Sequence, residues 1–84
     1  NGARFSLDHL EQILMSNGVH AACIDLENKI SVFITTKKLA DIVRSALKDL
    51  GVSKTQYSVN ILNEFPLNSN GKIDYFKLKV NINV

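Results

Sequence analysis

LADIVRSALKDLG, residues 39–51, decides how this chain folds. Leu39, Ile42, Val43, Ala46, Leu47 and Leu50 recur at helical spacing on one face, charged side chains fill the other, and Gly51 stands just past the end as a stop. An amphipathic helix with so continuous a stripe needs a flat apolar surface to cover. The flanking segments supply it. On the N-terminal side, Val19–Leu26 and Ile30–Thr35 are apolar, β-branched or aromatic, and the polar Glu27-Asn28-Lys29 between them predicts an antiparallel hairpin. On the C-terminal side, Tyr57, Val59 and Ile61 alternate with Ser58 and Asn60, which predicts a half-buried third strand.

Further outward, Leu7, Leu10, Ile13 and Leu14 form a second helical stripe, over about Leu7–Ser16. Ser6 is its expected N-cap, Asp8 lies in its first turn, and Asn17-Gly18 ends it. The expected order is helix, strand, strand, helix, strand, loop, short helix. This is an α+β fold, with a small three-stranded sheet packed against two main helices plus a short C-terminal helix. The final KVNINV, residues 79–84, has strand character with no evident partner. No internal repeat or linker interrupts the chain, so residues 1–84 are expected to form a single domain.

Composition narrows the function classes. Ten basic against eight acidic residues give a net charge of +2, too little to argue for nucleic acid, and no basic stripe is interleaved with aromatics. The longest apolar runs fall far below the ~18 residues of a membrane helix. Cys23 cannot form an internal disulfide and lies in an apolar run as a small hydrophobe would; a cytoplasmic setting is the simplest expectation. His9 and His20 are read as isolated from each other and from a ligand set of cysteines or carboxylates, so no metal site is expected. Lys37, Lys38, Arg44, Lys48 and Lys54 are expected on solvated faces.

The candidate site lies in FPLNSNGKID, residues 65–74. Pro66 fixes φ, Asn68, Ser69 and Asn70 favour side-chain-to-backbone turns, and Gly71 tolerates positive φ, so the backbone is expected to reverse sharply. Ile73 offers an apolar anchor, and Asp74 can cap a short helix over Tyr75, Phe76, Lys77 and Leu78. Lys72 is thereby presented as a compact positive charge with three donors, suited to a phosphate or carboxylate. A Walker loop is excluded, because Pro66 stands at its first glycine and Ile73 follows the lysine. A calcium loop is excluded as well, since aligning Gly71 with its central glycine puts Pro66 first and Lys77 last.

The same ten residues resemble the last core motif of the adenylate-forming (AMP-binding) enzymes, the superfamily of acyl-CoA synthetases, peptide-synthetase adenylation domains and luciferases. That pattern, roughly [LF]-P-[LKM]-[TN]-x-[NS]-G-K-[IV]-D, is met at every position. At the other end, NGARFSLDHLEQIL is similar to the family's G-x-R-[IV]-E-L-x-E-I-E, with Gly2, Arg4, Leu7, Leu10 and Glu11 matching in order. The resemblance covers residues 1 to 80 and implies the mobile C-terminal domain of a carboxylate-activating ligase. On that expectation the chain is a fragment, opening inside a motif.

The resemblance implies that Lys72 is the catalytic lysine, that Asn70, Gly71 and Asp74 support its loop, and that Gly2, Ala3 and Arg4 border the channel for a thiol. Lys72 would enter the site of a large N-terminal adenylation domain during attack of an acid on ATP. It further implies ATP and Mg²⁺ for the whole enzyme, a pantetheine or CoA thiol as acceptor, and an acyl or peptidyl carrier protein as partner. None of these is expected to be bound by this domain alone, which would be inactive in isolation. Asn70 before Gly71, with Asp74 after Ile73, leans toward the amino-acid-activating branch. Ser6 and His9 stand where the family has glutamates, Tyr75 and Phe76 where a basic pair often follows, and no proline precedes the third strand near Lys54–Gln56. The altered first motif supports an alternative: a non-catalytic interaction module of the same fold that binds a carrier or another partner protein.

Overall fold

A computed structural model describes residues 6–82. The elements run α1 (Leu7–Ser16), β1 (Ala22–Leu26), β2 (Lys29–Ile34), α2 (Ala40–Asp49), β3 (Tyr57–Ile61) and α3 (Tyr75–Ile82), with short 3₁₀ turns at Lys37–Leu39 and Lys54–Gln56. The sheet is ordered β1-β2-β3, with β1 antiparallel and β3 parallel to the central β2. A parallel pair needs a crossover, and α2 is that crossover. The α+β architecture read from the sequence is therefore present.

Local chemistry sets the element ends. Ser6 accepts the His9 N–H at the start of α1. Both long helices stop in one motif: the Gly18 and Val19 N–H groups reach back to Met15 and Leu14, and those of Gly51 and Val52 to Lys48 and Leu47. The backbone turns left-handed at each glycine, and the next valine packs inward. This is why β1 begins at Ala22 rather than at the expected Val19: Val19 belongs to the end of α1. Between β1 and β2 the turn is the two residues Glu27 and Asn28, both at positive φ, a geometry whose twist matches the strands it joins. Where the third strand lacks a preceding proline, Ser53 and Gln56 form a reciprocal capping box that leads the chain into β3.

Alternation along the strands divides the interior in two. Cys23, Val32 and Ile34 face α1 and α2, where they join Leu10, Leu14, Val43 and Leu47, with Tyr57 and Val59 contributed by β3. Ala22, Ile24 and Phe33 face the other way, against Leu78 of α3 and the half-buried Leu62, Phe65 and Ile73. The sheet is thus covered on both sides. Ile42, on the flank of the α2 stripe, is an exception to the expected inward face: it is 39% exposed, while Ala40 is buried on the opposite flank.

The C-terminal segment differs from its sequence reading. Lys79–Ile82 is helical, not extended, and α3 runs past the expected Leu78. Strand propensity in Val80 and its neighbours gives way because Leu78, fully buried, holds the segment against the sheet face in helical register.

Candidate functional site

FPLNSNGKID folds as a miniature hairpin. The Asp74 N–H donates to the Pro66 carbonyl at 2.8 Å and the Asn68 N–H to the Lys72 carbonyl at 2.8 Å, with Leu67 and Ile73 bridged between them. Asn68 organises the tip: its Oδ1 accepts the N–H groups of Asn70 at 2.8 Å and Lys72 at 3.1 Å. The Gly71 N–H closes on the Asn68 carbonyl at 3.0 Å, and Gly71 has φ +78°, a conformation that L side chains rarely adopt. Lys72 follows directly, with its side chain exposed.

Two anchors hold this hairpin to the body. The first is apolar: Phe65 and Ile73 sit in the smaller core cluster, and the Phe65 ring lies 5.0 Å from that of His20 at 59°. The second is polar and starts at Asp74, whose Oδ1 accepts the Lys77 N–H at 3.1 Å and caps α3 while its own N–H closes the hairpin. Hairpin and helix start are therefore one unit. The next residue, Tyr75, donates its hydroxyl to the Glu11 carboxylate, lying 2.9 and 2.8 Å from its two oxygens. Glu11 Oε2 also accepts the Cys23 N–H at 2.7 Å, satisfying a backbone donor on the open edge of β1.

The electrostatics follow from these contacts. Burial, and then the bonded carboxylate of Glu11, push the Tyr75 phenol well above the usual tyrosine range, so it remains a donor. Burial pushes the Cys23 thiol up to about 12, with the Glu11 charge adding to the effect. Cys23 is 2% exposed and acts as core, as its place in an apolar strand suggested. A shallow groove of about 380 Å³ opens between α1 and the base of the hairpin, lined by Asp8, Glu11, Met15, His20, Ile73 and Tyr75 among others; Lys72 does not line it.

The structure thus brings Asn70, Gly71, Lys72 and Asp74 together in one turn. Gly2, Ala3 and Arg4, expected at the thiol channel, lie outside the described residues. Sequence reasoning matched Glu11 to a motif and gave it no role, and it read Tyr75 as a helix residue standing where the family often has a basic one. A signal for Glu11 was present: it falls between Leu7, Leu10 and Leu14 on the inward stripe of α1, where an unpaired carboxylate is costly. Among the described residues no group of three or more His, Cys, Asp and Glu could hold a metal ion. Among the described residues no helix is long and apolar enough to cross a membrane.

No protein-family model and no curated protein matches this chain. Resemblance to the adenylate-forming enzymes rests on the two sequence motifs.

Proposed function

We propose that this chain is the mobile C-terminal domain of an ATP-dependent carboxylate-activating ligase, with Lys72 as its catalytic lysine. One observation carries the reading: a complete ten-residue motif folds into a self-supporting hairpin that leaves the Lys72 side chain exposed beside a positive-φ glycine. Such a lysine is open to a partner from outside its own domain. It suits a site completed by a second domain, where a carboxylate attacks the α-phosphorus of ATP, pyrophosphate leaves with the bridging oxygen, and negative charge gathers on the oxygens around the phosphorus. The ammonium offsets that charge as it builds. The product acyl- or aminoacyl-adenylate would then pass to a pantetheine or CoA thiol, after rotation of this domain.

The test is Lys72→Ala in the full-length protein. ATP–pyrophosphate exchange is measured with the proteinogenic amino acids and straight-chain carboxylic acids, and thioester formation is measured separately from supplied adenylate. Adenylation should fall by roughly 10²–10³-fold, the range for losing one preorganised charge partner, while thioester transfer is retained. Unchanged adenylation in the variant, or no exchange by the wild type with any of these acids, overturns the reading. A second reading, an interaction module for a carrier or other partner protein, draws on the exposed Phe76 and Val80, one turn apart on α3 at 75% and 45% exposure. Partner binding lost in Phe76→Ser, together with no exchange activity in the wild type, would favour it.

A further inference from the structure

Glu11 and Tyr75 are 64 positions apart in the chain, yet they meet at hydrogen-bond distance on both carboxylate oxygens. Glu11 is itself fixed at both ends: its backbone belongs to α1, and its Oε2 takes the N–H of Cys23 on β1. Tyr75 opens α3, directly after Asp74, which closes the Lys72 hairpin with its N–H and caps α3 with its carboxylate. A continuous path therefore runs from the sheet through Glu11, Tyr75 and Asp74 to the hairpin. On the opposite side, among the described residues, the partly buried Phe65 and Ile73 hold the hairpin.

We propose that the Glu11 carboxylate and the Tyr75 hydroxyl form a latch that sets where the Lys72 hairpin stands relative to the sheet. Both are then positioning residues for Lys72, which rests on the reading of Lys72 given above. The physical basis is geometric. A charged acceptor makes a stronger hydrogen bond than a neutral one. The Cys23 N–H and the α1 backbone restrain the carboxylate before the phenol arrives, so little freedom remains to be lost. A lysine that must meet a reaction centre in another domain depends on such restraint, because small misplacement of a charged group carries large losses in rate. The latch also accounts for a partly buried glutamate on the inward face of α1, which packing alone would disfavour.

Tyr75→Phe keeps the ring and removes the donor, so the fold should survive. Amide hydrogen exchange in the full-length protein is the first readout. Exchange at Asn68 and Asp74, whose N–H groups close the hairpin, should rise about five- to tenfold, while Val32 and Phe33 in the central strand stay unchanged. Adding Tyr75→Phe to Glu11→Gln should change hairpin exchange less than it does alone, since the two residues share one contact. The second readout is kinetic: with whichever acid supports ATP–pyrophosphate exchange in the wild type, kcat should fall about five- to tenfold and KM for ATP should move less than about twofold.

Unchanged hairpin exchange in Tyr75→Phe overturns the latch, whatever Lys72→Ala does. Raised exchange with unchanged kcat, in a protein where Lys72→Ala abolishes adenylation, overturns the positioning role. Raised exchange in a protein where Lys72→Ala leaves adenylation intact upholds the latch and removes the catalytic reading of Lys72.

Discussion

The two faces of the sheet are built differently. The face under α1 and α2 buries Leu10, Leu14, Val32, Ile34, Val43 and Leu47 completely, and many further side chains close around them. The face under α3 buries Ala22, Ile24, Phe33 and Leu78, rimmed by side chains that are only half covered. The first face is a core in the ordinary sense, and the second is a thin apolar floor with a polar latch beside it. The hairpin with Lys72 is attached to the second. On the proposed function the loop must be both held and able to engage another domain, and it gains from this division, because regions with little buried apolar contact open at lower free-energy cost than the core. Stability and presentation are thereby assigned to opposite sides of one three-stranded sheet.

The sharpest way to break the comparison is to empty one site on each face. Leu47→Ala removes a fully buried side chain from the thick face, where close-packed neighbours cannot collapse into the space. It should cost about 3–5 kcal/mol in urea unfolding, lowering protection across all three strands together. Leu78→Ala deletes a side chain just as buried, but its neighbours Leu62, Phe65 and Ile73 are partly exposed and free to relax. Here the expected cost is about 2–3 kcal/mol, with exchange rising first in α3 and the hairpin. Equal costs and a uniform loss of protection in the two variants would show that the faces form one cooperative unit.

A smaller effect sharpens the same contrast. Asp74→Ala removes the side-chain cap of α3 while leaving the backbone bond from residue 74 to Pro66 possible. It should destabilise by about 1 kcal/mol, the usual value of an N-cap, and the loss should appear in α3 and the hairpin rather than in β2. Circular dichroism and residue-resolved exchange check both parts. Loss of protection in β2 at the same time would mean that the second face is not separable from the first.

Much of this arrangement is legible from local pattern. Leu7–Ser16 as a helix, its Ser6 cap, the hairpin over β1 and β2, and the turn chemistry around Gly71 each follow from residues within a few positions of one another. The ends of α1 and α2 do as well, since a glycine followed by an apolar residue closes both. The candidate site was legible in part for the same reason: Asn68, Asn70, Gly71 and Lys72 interact within five consecutive positions. The errors lie elsewhere. Val80 and Asn81 carry strand character locally, and the helix through them exists because Leu78 has a sheet face to cover.

What the sequence determined by itself, then, is what short-range sterics and capping can enforce: element identity for most of the chain, and a lysine at the tip of a sharp turn. Only the tertiary structure decided that β3 runs parallel beside β2, that a second face exists for α3 to cover, and that Glu11 meets Tyr75 and Cys23. Those contacts join positions distant in the chain, where no dihedral preference reaches. Burial and hydrogen-bond satisfaction choose among them once the layers come together.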